Sequence, residues 1–208
     1  MQMEQAMEIF RRTGVMQEGH FRLTSGRHSD RYMQCARLFQ YPKESEAVCL
    51  EIAEFFRGAN VSLVAGPAIG GIVMAYEVAR ILGVRNVFAE RENGDMTLRR
   101  GFEASLRAGE RALVVEDVVT TGGSVREVIA LLLSRGVEVA GVGAVVDRSN
   151  GTVGFGAGDL QGPGAQIPFH ARIPFHALVT LNVESWEAGD CPLCRRGLPI
   201  VKPGSRKQ

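Results

Sequence analysis

The sequence predicts an α/β protein with a mostly parallel central sheet flanked by helices. Three observations carry that expectation. Short β-branched runs alternate with stretches of helical periodicity, the pattern of βαβ units. Leu113 to Val115 is continuously apolar, as a strand covered on both faces is. Two of the strands run through glycine-rich loops directly into helices.

Taken in order, residues 2–12 read as a short amphipathic helix, and residues 14–34 as an irregular polar stretch. Residues 43–57 form a helix on the spacing of Ala47, Val48, Ile52, Phe55 and Phe56, bounded by Pro42 and Gly58. A strand over 61–65 precedes a helix over 70–82, and a strand over 86–90 leads into a polar loop over 91–100. Strand 111–116, helix 124–134 with Ser124 as N-cap, and strand 137–146 follow. Glycines at 151, 154, 156, 158, 162 and 164 mark a flexible insertion over 151–166. Next, Ile167-Pro168-Phe169-His170-Ala171 recurs as Ile173 to Ala177, and only one copy can precede a last strand over 178–183. The tail from Cys191 is rich in Pro, Gly, Lys and Arg, and its end is expected to fray.

At 208 residues the chain suits one domain, and Lys+Arg 24 against Asp+Glu 23 gives a net charge of +1. That balance gives no electrostatic reason to expect a nucleic acid or a membrane surface as partner. Glu4 and Glu8 interrupt the N-terminus, so no secretory signal is expected, and Arg135 and Glu138 break the longest apolar region. Four cysteines, at 35, 49, 191 and 194, are too few for a disulfide scaffold, which agrees with a cytoplasmic location.

The chemistry concentrates in Val114-Val115-Glu116-Asp117-Val118-Val119-Thr120-Thr121-Gly122-Gly123-Ser124. Loop amides and a helix N-terminus make a phosphate cradle, and the glycines allow close approach. Two carboxylates would repel phosphate, so they must face something neutral, and the vicinal diol of a ribose 5-phosphate fits. The plainer reading is a strand–turn–helix with an acidic turn. A second loop, Gly66-Pro67-Ala68-Ile69-Gly70-Gly71, repeats the geometry one unit earlier, or is simply a tight βα turn. In the loop from Arg91 to Arg100, three arginines (Arg91, Arg99, Arg100) flank a Gly-Asp turn. They could stabilise a leaving diphosphate, or could pair with surface acids. Cys191-Pro-Leu-Cys194 has the spacing of half a zinc knuckle. Two further donors would have to come from Cys35, Cys49 or a second subunit; otherwise the thiols are reduced bystanders. His20 and His28 are either substrate-edge donors or ordinary loop histidines.

The Val114–Ser124 stretch resembles the signature of the type I phosphoribosyltransferases, and the segment Phe21 to Met33 resembles the hood of the orotate-specific branch. The resemblance covers about residues 9–150 and 173–204. It implies one domain over 1–208: a core over about 41–150, and a small hood made of about 1–40 and the C-terminal segment. Glu116 and Asp117 would grip the ribose hydroxyls, Val118 to Ser124 the 5-phosphate, and Pro67 to Gly71 with Arg91 the diphosphate. Arg99 and Arg100 would join Arg91 in the catalytic loop, and Thr121, Arg148, Tyr32 and Met33 would bind orotate. Arg148 would meet its carboxylate as a bidentate guanidinium. The implied reaction makes orotidine 5-monophosphate and diphosphate in de novo pyrimidine biosynthesis. It uses Mg²⁺ held through the substrate rather than by protein ligands, in a homodimer with shared sites.

The chain departs from the branch at Thr24 and Ile69-Gly70, where lysines are usual, and in a catalytic loop without the usual Lys and His. Those departures leave two alternatives, a phosphoribosyltransferase for another base such as a purine and a non-catalytic sensor of phosphoribosyl diphosphate.

Overall fold

The computed structural model describes residues 1–23, 25–156, 158 and 172–203. Helix α1 (Met3–Arg12) leads into a hairpin of β1 (Met16–Arg22) and β2 (His28–Met33), then helix α2 (Pro42–Phe56). The first βαβ unit is β3 (Leu63–Pro67), α3 (Gly70–Leu82) and β4 (Arg85–Glu92), extended by β5 (Asp95–Thr97) and the short α4 (Phe102–Ser105). The second is β6 (Arg111–Val119), α5 (Gly123–Leu133) and β7 (Glu138–Asp147). β8 (Phe175–Thr180) and the four-residue α6 (Pro192–Arg195) complete the described elements.

Six strands form one sheet in the order β5-β4-β3-β6-β7-β8, parallel throughout except for β5. Adjacent residues of one strand serve opposite faces, as the two-residue period requires. Val64, Leu113 and Val115 pack with Val48 and Ile52 of α2 and Met74 and Val78 of α3. Leu63, Ala65, Ala112 and Val114 pack with Val125, Val128, Ile129 and Leu132 of α5. The expected two-faced α/β architecture is therefore present. Gly141 and Gly143 of β7 let α2 lie close on the sheet, since a Cβ at Gly141 would stand 2.2 Å from Phe56 Cε1.

From β3 the chain steps outward to β4, and β6 then returns to the other side of β3. The strand order reverses between β3 and β6, and in open α/β sheets ligands bind at the carboxyl ends beside such a reversal. Both glycine-rich loops leave the sheet there.

Several local expectations need correction. The 14–34 stretch is an antiparallel hairpin with a register irregularity between Glu18 and Phe21. Its alternation is masked by charged residues on the exposed face. The 91–100 loop folds back as β5 against β4. Strand β6 does not stop at Glu116: Glu116, Val118 and Val119 keep parallel partners Ala144, Val146 and Asp147. Gly122, at φ 75°, is the N-cap of α5 in place of Ser124. The last strand starts at Phe175, so the second Ile-Pro-Phe-His-Ala copy enters the sheet. The first copy, Thr24, most of the 151–166 insertion and the last five residues lie outside the described residues.

Candidate active site

The site is built on the carboxyl end of β6. Glu116 and Asp117 are consecutive strand residues, and the Asp117 N–H donates to Glu116 Oε1 at 3.1 Å. The Val118 N–H donates to Asp117 Oδ1 at 2.9 Å. Burial raises both acids. Glu116 reaches about 9, through desolvation first and then the neighbouring Asp117 charge. Asp117 is raised by desolvation, against the pull of its own hydrogen bonds. Two carboxyl groups held this way suit contact with neutral hydroxyls.

Beyond Val119 the chain turns through exposed Thr120 and Thr121 into Gly122 and the first turn of α5. No side chain caps this helix, so its first amides point to the loop opening. The turn, with Glu116, Val118 and Val119, lines a small pocket of about 70 Å³. Gly122 is required twice over: its φ is left-handed, and a Cβ would lie 3.1 Å from both Phe155 and Val153. Arg126, one turn into α5, donates to the carbonyls of Thr121 and Gly154, the latter at 3.1 Å, and lies over the Phe155 ring at 5.5 Å. It braces the turn from behind. Periodicity could not have singled it out, because its partners lie in the glycine-rich segment.

The second loop comes from β3. Gly66 packs so closely that a Cβ would meet the Gly71 carbonyl oxygen at 2.5 Å and the Val115 carbonyl oxygen at 3.1 Å. The Ala68–Ile69 peptide is cis, and the Ala68 N–H donates to Ala89 O at 2.7 Å. Gly70 lies against the acid pair, where a Cβ would fall 2.5 Å from Asp117 Oδ2. The two loops are thus one continuous surface, with Asp117 at the seam.

Arg148 follows β7, and its backbone N–H donates to Val119 O at 2.8 Å, beside the end of β6. Its Nε is buried and finds no partner among the described residues. Cys35, buried at 2% exposure, sits beneath: burial pushes its thiol well up, Asp117 adds to that, and Arg148 opposes it. Tyr32 of β2 is half-buried, with its hydroxyl donating to Gln34 Oε1 at 2.9 Å. Met33 points the other way, as its strand neighbour must, and is packed into the core. It is core support rather than an open face for a ring.

The three loop arginines are engaged elsewhere in the single chain. Arg91 makes two 2.9 Å bonds to Glu127 of α5, Arg99 lies 3.3 Å from Glu92, and Arg100 reaches Glu90 at 3.0 and 3.1 Å. Cys191 and Cys194 face His20 and His28, not Cys35 or Cys49, which are packed into the core against the sheet. The donors expected from those cysteines or from a second subunit are thus matched within the chain by two histidines.

The family model described as phosphoribosyl transferase domain matches residues 43–162. The orotate phosphoribosyltransferase of Caldanaerobacter subterraneus subsp. tengcongensis is 54% identical, with 100% of each chain covered. The chain belongs to the orotate phosphoribosyltransferase branch of the phosphoribosyl transferase family. The protein of that name from Thermotoga petrophila is 50% identical over 96% of this chain and 97% of its own. The crystal structure of orotate phosphoribosyltransferase from Aeropyrum pernix superposes with a TM-score of 0.64 at 26% identity, covering 84% of this chain and 92% of that one. The family match spans both glycine loops and the acid pair, whereas the β1–β2 hairpin falls outside it. The hairpin is nonetheless within the full-length alignment to the Caldanaerobacter phosphoribosyltransferase.

Proposed function

We propose that this chain transfers the phosphoribosyl group of phosphoribosyl diphosphate to orotate, yielding orotidine 5-monophosphate and diphosphate in pyrimidine biosynthesis. The observation that carries the reading is the seam at the strand-order reversal. There Asp117 touches Gly70 of one glycine loop while its own strand runs into the other. A single ligand bound across the seam presents a phosphate to each loop and hydroxyls to the acids, which is the layout of a diphosphate-activated ribose phosphate. Full-length relatives named for the orotate reaction support the acceptor.

In this reading Val118 to Ser124 hold the 5-phosphate with loop and helix amides, and Glu116 and Asp117 hold the ribose 2- and 3-hydroxyls. Pro67 to Gly71 and Arg91 receive the diphosphate. The carbon–oxygen bond to the diphosphate breaks, its electron pair leaves with the diphosphate, and an orotate nitrogen bonds to the same carbon as its N–H proton passes to a diphosphate oxygen or to water. No protein nucleophile is needed, so the rate comes from positioning and electrostatic stabilisation. Arg148 meets the orotate carboxylate, which would give its buried Nε the acceptor it lacks. Thr121 and Tyr32 border the base. Mg²⁺ would be held through the diphosphate and ribose hydroxyl oxygens rather than by protein carboxylates, since it retains waters and takes few protein ligands. When bound, it would neutralise the diphosphate charge.

The arginine loop acts in a dimer. Ile69, Val73 and Tyr76 form an exposed apolar stripe on and beside α3, at 84%, 46% and 60% exposure, which supports pairing of two copies. The location is cytoplasmic, in keeping with the absence, among the described residues, of a helix long and apolar enough to cross a membrane.

A base panel tests the acceptor. With phosphoribosyl diphosphate and Mg²⁺, diphosphate release should depend on orotate and not on adenine or hypoxanthine. Arg148→Ala should raise the KM for orotate about 10-fold or more while leaving that for phosphoribosyl diphosphate nearly unchanged. Turnover with a purine, or tight donor binding without turnover on any base, contradicts the assignment.

A further inference from the structure

The hairpin and the C-terminal segment are joined by backbone pairing. Arg22 N–H donates to Val201 O, Val201 N–H to His20 O, and His28 and Trp186 exchange two 2.8 Å bonds. At the centre of this junction, four side chains that the transfer reaction does not use converge. His20, His28 and Cys191 are 5%, 7% and 0% exposed, and Cys194 stands at the edge. One ligand atom from each of the four lies within 4.8 Å of the others.

Four of the six separations match the edges of a tetrahedron, and the other two lie within 4.8 Å. A cation at about 2.0–2.1 Å from nitrogen and about 2.3 Å from sulfur places N···N at about 3.3 Å and N···S at about 3.6 Å. Here His20 Nε2 and His28 Nδ1 are 3.2 Å apart, Cys191 Sγ is 3.5 Å from His20 Nε2, and Cys194 Sγ is 3.7 and 3.2 Å from the two nitrogens. The backbone adds the orientation that metal-bound histidine usually has. His20 Nδ1 lies 2.9 Å from Leu198 O, so it carries the proton and turns the Nε2 lone pair toward the cluster. Cys191 is the N-cap of α6 and Cys194 lies within its single turn, three residues on, which brings both sulfurs to one side.

We propose that His20, His28, Cys191 and Cys194 form a structural zinc site that locks the two ends of the chain together beside the active site. A two-nitrogen, two-sulfur tetrahedral set selects Zn²⁺ over hard cations such as Mg²⁺. All four positions are filled by protein, so the ion has no open coordination for chemistry. Its role is to hold β2, which carries Tyr32, against the C-terminal segment. Because the ligands are about 170 residues apart in sequence, the ion contributes to folding of the whole chain.

Metal analysis of the purified full-length protein, without added metal and under reducing conditions, should find one zinc per chain. Cobalt(II) exchanged into the protein should give the intense visible bands and sulfur charge-transfer absorption of a tetrahedral thiolate site. Chelation should lower the melting temperature by about 5 °C or more. Cys194→Ser, on the exposed edge, should bind zinc at least 10-fold more weakly, whereas Cys35→Ser should keep the full complement. Native protein that holds no zinc and takes none up at stoichiometric addition would overturn the site. So would stoichiometric iron, zinc retained undiminished by Cys194→Ser, or a Cys191–Cys194 disulfide under those conditions.

Discussion

Glu116 is held where its charge is disfavoured, and the reason is local. It stands on a strand that stays paired through Val119, and both acids are only partly open to water. Its folded value of about 9 exceeds the ordinary value of 4.5, and the folded form therefore binds a proton that the unfolded chain releases. Stability from that proton is fully present below about pH 4 and is lost as pH rises toward about 9. Glu116→Gln should therefore flatten the fall in melting temperature between about pH 6 and pH 9 while removing most activity. Thermal melts across that range check this, and parallel curves for the two proteins would contradict it. The acid pair itself was legible in the sequence, because two carboxylates beside a Thr/Gly turn have few other uses. Its surroundings were not: Cys35, Arg126 and the contact of Gly70 with Asp117 depend on chain crossings that no local pattern records.

Among the elements, α2 and α3 were readable to within one residue, since Pro42, Gly58 and Gly70 punctuate strong helical spacing. Strand ends were less legible. β6 looked as if it ended at the acids, yet backbone pairing to β7 is indifferent to side-chain charge and carries it three residues further. The β1–β2 hairpin was missed because its exposed face is charged and its register shifts. Packing between α2 and the sheet rests on Gly141, whose added Cβ would strike the Phe56 ring. Gly141→Ala should cost about 1–3 kcal/mol in urea unfolding. Combining it with Phe56→Leu should cost less than the sum of the two single changes, because the smaller side chain makes room. Strict additivity would mean that the ring is not the obstacle.

For the whole molecule, the arginine loop bears on the proposed pairing of two copies. Arg91, Arg99 and Arg100 are satisfied by Glu127, Glu92 and Glu90 at exposed positions. Such pairs are worth about 0–1 kcal/mol each, so a diphosphate can displace them readily. Light scattering should give twice the 22.6 kDa chain mass, and Tyr76→Glu should shift the protein to monomer with its fold intact. A monomeric parent protein would rule out a shared site. The overall α/β order and the two strand–glycine loop–helix units followed from sequence pattern alone. The histidine partners of Cys191 and Cys194 did not, because they meet only when the two chain ends are brought together.

The most direct measurement compares orotate consumption by the parent protein and by Asp117→Asn, with phosphoribosyl diphosphate and Mg²⁺ present. The seam predicts steady turnover in the parent and a loss of about 100-fold or more in the variant, with the fold unchanged by circular dichroism. Equal rates in the two proteins would contradict the placement of the chemistry at Asp117.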